Sequence, residues 1–321
     1  MKNILISISI LICNLCMSQT SNTGKYKGLI VTDSLKLSYL PLGAIPYGYM
    51  GGKVLGDTNK IRIDSGTGNV GIGTYSPQKK LDVNGDALIH GITAGKGNTA
   101  NNTNTAFGVT ALNSTNNVGV NNTAIGYEAL KLNTLGIGNT AIGNAALQKN
   151  TTASGNTALG NGSLAENITG AGNVGIGNLS LNVNTVGGNN IAIGQMAMSS
   201  NTFGSNNVAI GESALSGNDS GQYNVSVGAQ TLTNLLPKNS YNTALGALAL
   251  STAASDSNTA VGFGSMAGSI NGNSNTGVGA FSLLGNQTGK YNVALGALAL
   301  YQNSTASENV AIGYSSLFSN T

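Results

Sequence analysis

The sequence predicts an all-β chain, built as a parallel β-solenoid (a β-roll) of about thirteen 17-residue rungs after a short irregular β region. Three observations lead there. First, the phrase NTAIGYEAL at Asn122–Leu130 returns, slightly reworded, along most of the chain. Its middle glycine falls at Gly108, Gly126, Gly143, Gly160, Gly177, Gly194, Gly211, Gly228, Gly246, Gly262, Gly279, Gly296 and Gly313, a nearly constant step that is most often seventeen. A fixed period of this kind marks stacked repeats. Second, the residues before each glycine alternate with period two, and Gly and Asn punctuate every copy, which disfavours helix. Third, only 8% of the 321 residues are charged while 40% are hydrophobic. Ordinary domains carry about 25% charge, yet the apolar residues here sit at fixed places, which fits ordered stacking and not a disordered polar tract.

Taking that glycine as position zero defines the rung. Position −4 is Asn in all thirteen copies: Asn104, Asn122, Asn139, Asn156, Asn173, Asn190, Asn207, Asn224, Asn242, Asn258, Asn275, Asn292 and Asn309. Position −2 is Ala, Gly or Ser, position −1 is apolar, and position +4 is Leu or Met. The pattern predicts a strand over −4 to zero, a bend at the glycine, a second short strand over +2 to +5, and a polar turn. Parallel stacking at about 4.8 Å would make thirteen rungs roughly 60 Å tall. Identical residues then lie above one another, so the −4 asparagines can hydrogen-bond amide to amide as a ladder. The expected core is the −1 and +4 pair, represented by Ile125, Leu130, Ile142, Leu147, Ile193, Met198, Ile210, Leu215, Ile312 and Leu317. One Ile and one Leu cannot offset the ordering of a whole rung, so no rung stands alone. The small side chains at position −2 are expected on the opposite face, close to something. Three chains packed around one axis would supply it.

Taken from its start, the chain opens with a signal-peptide pattern at residues 1–18. Lys2 precedes an apolar run from Ile4 to Leu15, and small residues at Cys16 and Ser18 place a cut before Gln19. The run is too short for a transmembrane helix of about 20 residues. Cleavage would remove Cys13 and Cys16, leaving no thiol. Residues 19–97 form an N-terminal β-rich region, and residues 98–321 the solenoid. Strand-like alternation occurs at Gly28–Leu40 and Asn59–Asp64, with an aromatic loop at Tyr39–Gly52. Gly68–Gly85 reads GNVGIGTYSPQKKLDVNG, which predicts short strands at Asn69–Ile72 and Lys80–Val83 with Pro77 between them and a turn signal at Asn84-Gly85. This segment resembles one common in tail-fibre-like surface proteins of bacteria and phages.

The repeat phrase Asn-x-Ala-Ile-Gly-x-x-Ala/Ser is similar to the head repeat of trimeric autotransporter adhesins of the YadA type. The resemblance covers about residues 104–317. It implies a left-handed parallel β-roll, a homotrimer, and an adhesive role at a cell surface. The period here is longer than is usual in that family. The chain also carries neither a translocator nor a coiled-coil stalk, nor the self-cleaving chaperone of tail-fibre-like proteins. Its close at Thr321, directly after a rung, leads us to expect a truncated product or an end covered by another chain.

Chemistry has few candidates. Residues 1–97 hold ten basic and five acidic residues, whereas the repeats hold four Lys, six acidic residues and no Arg. Such a surface argues against nucleic acid. His90 is the only histidine and Arg62 the only arginine, so a zinc site or a His-based triad cannot be assembled in one mature chain. The repeat carboxylates Glu128, Glu166, Glu212, Asp219, Asp256 and Glu308 share no position, which disfavours calcium-binding rolls. Asp82 and Asp86 flank the Asn84-Gly85 turn and read as turn charges. Gly91–Gly97 and Gly285–Tyr291 look like phosphate loops, but their spacing is short and neither Lys96 nor Lys290 is followed by Ser or Thr. The expectation is a secreted, fibrous, non-enzymatic protein with no cofactor or metal, acting in adhesion through avidity. Glycans or matrix proteins are the candidate partners, beside the chain itself. The competing readings are a non-binding shaft and an ice-binding solenoid.

Overall fold

The computed structural model describes residues 61–64, 66–74, 76–97, 103–234, 238–252, 255–269 and 271–320. The signal-peptide pattern, the alternation at Gly28–Leu40 and the aromatic loop at Tyr39–Gly52 lie outside the described residues. Those residues contain strands and turns and no helix. The chain divides into two compact units, at Asn84 and Gly85.

The first unit contains β1 (Ile61–Ile63), β2 (Val70–Ile72) and β3 (Leu81–Val83). β2 is central, antiparallel to β1 and parallel to β3. Asp64 closes the β1–β2 turn by accepting the Gly66 and Thr67 amides at 3.0 and 2.8 Å. The loop to β3 is tied by Asn69, whose side-chain amide donates to the Pro77 carbonyl at 3.1 Å. Pro77 sits there, outside the ladder, where its missing N–H leaves no gap.

The second unit is one sheet of fifteen strands. β4 (Ala87–Ile89) and β5 (Ile92–Gly95) form an antiparallel hairpin, and β5 lies antiparallel on β6 (Thr105–Gly108). The sheet therefore begins before residue 98, and the hairpin covers the first edge of the stack, which would otherwise offer unpaired backbone. From β6 through β7 (Thr123–Ile125) to β18 (Val310–Ile312), thirteen strands follow in sequence order, all parallel and in register. Each rung contributes one strand at −3 to −1, so the chain is a β-solenoid with twelve steps from first strand to last.

The second strand expected at +2 to +5 does not form. Residues 127–132 run instead as consecutive turns, and the same holds in the other rungs. Glu128 and Leu130, at +2 and +4, are left-handed with φ of 57° and 50°. Local bonds from Ala129 N to Gly126 O and from Asn133 N to Leu130 O curl the segment. Other amides reach across rungs, Glu128 to Val109 O and Leu130 to Ala146 O. A left-handed Leu costs about 1–2 kcal/mol. Complete burial of the same side chain returns about 1.5–3 kcal/mol, and Leu130, Leu147, Met198 and Leu215 are all fully buried.

The glycine at zero is required by close approach. A Cβ on Gly143 would stand 2.4 Å from the Gly160 carbonyl oxygen of the next rung, and the backbone there has φ of 137°.

The core differs from the one expected. Ala124, Ala141, Ala158 and their −2 equivalents are buried, together with Ala or Ser at +3 and Leu or Met at +4. The side chains at −1, Ile125, Ile142, Ile193, Ile210 and Ile312, point outward; Ile125 is 37% exposed and Ile312 67%. Because a strand alternates faces, placing −2 inside puts −1 outside. Size decides which goes in: the +4 Leu already fills the narrow space beneath the strand, leaving room for a single methyl. The small side chains at −2 therefore meet their own chain, which removes the reason first given for three chains. Leu317, at +4 of the last rung, is 47% exposed because only the preceding rung packs on it.

Where −2 shrinks to glycine, +3 grows. Gly175 is flanked by Ser163 and Ser180, and Gly277 by Ser265 and Ser282. The Ser163 hydroxyl donates to the Gly175 carbonyl at 2.8 Å. Ser226 at −2 is hydrogen-bonded to Thr231 at +3.

Candidate functional surface

The predicted ladder residues line the interior. Each −4 asparagine accepts, on its Oδ1, the backbone N–H of the −4 asparagine one rung on. The series runs unbroken from Asn104–Asn122 at 2.8 Å to Asn292–Asn309 at 3.0 Å. The Nδ2 group turns inward to the +10 carbonyl of its own rung, as in Asn122 to Gly136 O and Asn173 to Gly187 O, both 2.8 Å. Amide-to-amide contact, the form expected, is only an addition, as at Asn139–Asn122, 3.2 Å. The backbone amide lies nearer and is the stronger claim on the oxygen.

A true amide ladder exists at +7, a position sequence reasoning left inside the polar turn. Asn133, Asn150, Asn167, Asn184, Asn201 and Asn218 are fully buried. Each Nδ2 from Asn150 to Asn218 donates to the Oδ1 one rung back, at 2.7–3.1 Å. The same amides also reach the +10 carbonyl, so that carbonyl receives two asparagines: Gly187 O takes Asn173 and Asn184. The same glycine alignment, carried past +4, shows Asn at +7 in every rung from Gly126 to Gly211. The series is interrupted after Asn218, because the next two rungs depart from the usual length and carry Leu235 and Ala253 at +7. Asn218 Oδ1 has no donor.

With the asparagines sealed inside, the outer face of the sheet is what other molecules can meet. Two columns run along it. Position −1 holds Ile, Leu or Val in every rung from Ile125 on, and −3 holds Thr, Val or Ile. Register pairs like with like, as in Ile125 with Ile142 and Val208 with Val225.

The titratable candidates do not converge. His90 is exposed at the β4–β5 turn. Asp82 accepts the Gln78 amide at 2.9 Å in the loop before β3, and Asp86 accepts the Lys96 amide at 2.5 Å across the open end of the β4–β5 hairpin. Of the phosphate-loop look-alikes, residues 92–95 are strand β5, and the Gly289 carbonyl is held by Asn275 and Asn286. Glu128 pairs with Lys131 and also binds Gln148. The Lys131 hydrogen bond holds the Glu128 carboxyl below its ordinary value and raises the lysine above its own. Lys149 and Glu166 bridge adjacent rungs at 2.6 Å. Among the described residues, no group of three or more His, Cys, Asp or Glu could hold a metal ion, and no helix is long and apolar enough to cross a membrane.

The geometry defines a β-solenoid repeat protein. Comparison with protein families, with curated proteins and with solved structures returns no match.

Proposed function

We propose that the chain is a secreted or surface-exposed fibrous protein acting in attachment, and that three copies pack side by side into one shaft. The observation that carries this reading is the outer face of the sheet. Thirteen strands at about 4.8 Å, each presenting two outward residues, make a strip on the order of 600 Å². Its −1 column is apolar throughout and its −3 column mixes Thr with Val and Ile, and its area is close to the roughly 800 Å² per partner of a stable interface. A flat strip that runs along the fibre lets parallel copies meet along their whole length. The resemblance to trimeric adhesin heads favours three copies over two. Attachment then works by repetition, since many weak contacts along a rigid shaft add into avidity. Glycans or matrix proteins on another surface are the proposed partners, and export through the residue 1–18 leader the proposed route.

Sedimentation of residues 19–321 tests the assembly. Three times the chain mass is expected, and a chain that stays monomeric at all concentrations would overturn it. Ile142→Lys with Ile193→Lys changes only outward positions, so the fold should hold while the mass falls to that of one chain. Failure to bind any cell surface or matrix would move the reading to a non-binding shaft. One observation favours ice binding as a second reading: Thr105, Thr123, Thr140 and Thr157 align in register on the −3 column. Valine and isoleucine replace them from Val174 to Val225. Absence of thermal hysteresis would remove that alternative.

A further inference from the structure

One outward column sets tyrosines on left-handed backbone. Position −5, just before the ladder asparagine, is left-handed in every described rung from Asn121 to Glu308. Glycine and asparagine adopt that backbone at little cost, and they occupy it at Asn121, Gly138, Gly155, Gly172, Asn189 and Asn206. A Cβ built on Gly138 or Gly155 meets nothing within 4 Å, so side chains here extend into open space. Yet three rungs carry tyrosine: Tyr223, Tyr241 and Tyr291, with φ of 57°, 62° and 57°. A bulky residue in this region is an outlier. At +4 the same strain is offset by a buried leucine. At −5 it is not, because the three tyrosines remain 50%, 62% and 58% exposed. Strain that packing does not repay points to use.

The column also has a shape. Tyr223 and Tyr241 stack with ring centroids 5.4 Å apart and planes 6° from parallel. The next two rungs hold Ser257 and Ser274, and the third holds Tyr291. Backbone bonds keep these residues in one line: the amides of Ser257, Ser274 and Tyr291 donate to Ser240, Asp256 and Asn273 respectively, each one rung back. The stack of rings is therefore interrupted for two rungs. Tyr241 and Tyr291 stand three strand spacings apart, about 14 Å, with serines between them. Polar groups border the gap. Asp256, Asn273 and Lys290 occupy the adjoining −6 column.

We infer that the gap between Tyr241 and Tyr291 is a glycan-binding site that takes pyranose rings against the free faces of the two tyrosines. One face of a pyranose presents carbon-bound hydrogens and lies flat on an aromatic ring, while its edge carries hydroxyls. Tyrosine offers a large apolar surface at low entropic cost. The serine, asparagine, aspartate and lysine groups around it supply hydrogen bonds to those hydroxyls. The inference deepens the attachment reading and rests on it, by naming the ligand class and the surface.

The test uses residues 19–321 on an array of immobilised oligosaccharides, with cell binding measured in parallel. Tyr241→Asn and Tyr291→Asn install a residue the column already uses at Asn189 and Asn206, so the fold should be at least as stable. Wild type is expected to bind a subset of pyranose oligosaccharides, and the double variant to bind them about tenfold more weakly or worse. Tyr314→Asn, on the +1 column, is expected to change nothing. Array binding that survives the double variant overturns the site while leaving glycan attachment standing. Cell binding without array binding overturns the glycan inference and keeps the attachment reading. Absence of both array and cell binding in the wild-type trimer overturns both. Competition by an aromatic peptide with no glycan signal would assign the gap to a protein partner and overturn the inference.

Discussion

The hexapeptide GNVGIG occurs twice, at Gly68–Gly73 and at Gly172–Gly177. In both places Val-Gly-Ile forms a three-residue strand with a buried central glycine, and the leading glycine is left-handed, with φ of 68° and 70°. The surroundings then part. Strand β2 pairs antiparallel with β1 and parallel with β3, whereas β10 (Val174–Ile176) has parallel partners on both sides. The last glycine turns differently too, with φ of 70° at Gly73 and 129° at Gly177. The downstream residues explain the split. After Gly73 comes Thr-Tyr-Ser-Pro, and after Gly177 Asn-Leu-Ser-Leu, which supplies the buried Leu181 at +4. The phrase specifies a strand. The leucine behind it makes that strand a rung, and a neighbour of the same kind makes the rung a stack.

The largest expected effect comes from the shared asparagine. Asn173 is fully buried, donates to Gly187 O, and accepts the Asn190 backbone amide at 2.9 Å. Asn173→Ala leaves that amide without an acceptor and should cost about 3 kcal/mol, read from the denaturation midpoint. Asn69, half-buried, makes one side-chain bond among the described residues, to Pro77, so Asn69→Ala should cost about 1 kcal/mol, read as faster exchange of the Val70–Ile72 amides. Equal costs would break the contrast. Next comes the buried glycine. A Cβ at Gly175 would stand 2.5 Å from Ser163 Oγ, while one at Gly71 would meet the Thr74 backbone oxygen at 2.9 Å. Gly175→Ala should cost about 2 kcal/mol. Adding Ser163→Ala and Ser180→Ala restores the alanine pairing of neighbouring rungs and should recover most of it. No side-chain change can rescue Gly71→Ala in this way.

A smaller effect separates intact from interrupted stacking. Asn184 both donates to Asn167 and accepts from Asn201, but Asn218 only donates. Asn184→Ala should therefore be about 1 kcal/mol worse than Asn218→Ala. Amide exchange should also be faster around Gly228–Gly262 than around Gly143–Gly194. Uniform protection would show that the lost ladder bonds are replaced. The smallest effect is expected at Glu128. Its lowered pKa means that the paired form adds stability above the unfolded value and loses it as pH falls. The raised pKa of Lys131 means that its contribution is present below the unfolded value and is lost as pH rises through the folded one. Lys131 is 38% exposed against 14% for Glu128, so solvent reaches the pair and it contributes little. Glu128→Gln should leave the melting temperature unchanged at neutral pH, and a clear drop would mark the Glu128–Gln148 contact as structural.

Much of this was legible beforehand. The fixed glycine gave the period, and with it the parallel stack. The constant Asn at −4 stood out because it recurs in all thirteen copies, and its short amide can accept from the neighbouring backbone while donating inward. The +7 asparagines were missed because they sit in turns whose other residues vary and whose length slips by one around Gly246. The core was misread because hydrophobicity ranks Ile above Ala, whereas the interior selects by volume once Leu130 and its equivalents occupy it. The tyrosines at −5 could not be weighed at all without φ, since nothing in their spelling says that the backbone beneath them is left-handed.

The sequence by itself determined the repeat, the strand in each rung, and the stacking of like on like, because these follow from local alternation and from a period that brings identical residues into register. Only the tertiary structure decided which face of the strand is inside. That choice depends on how the return segment curls beneath the strand, through left-handed residues at +2 and +4 that no hydrophobic pattern encodes. It sends the alanines inward against the leucines and leaves the isoleucines, valines and threonines on the outside, where another molecule can meet them.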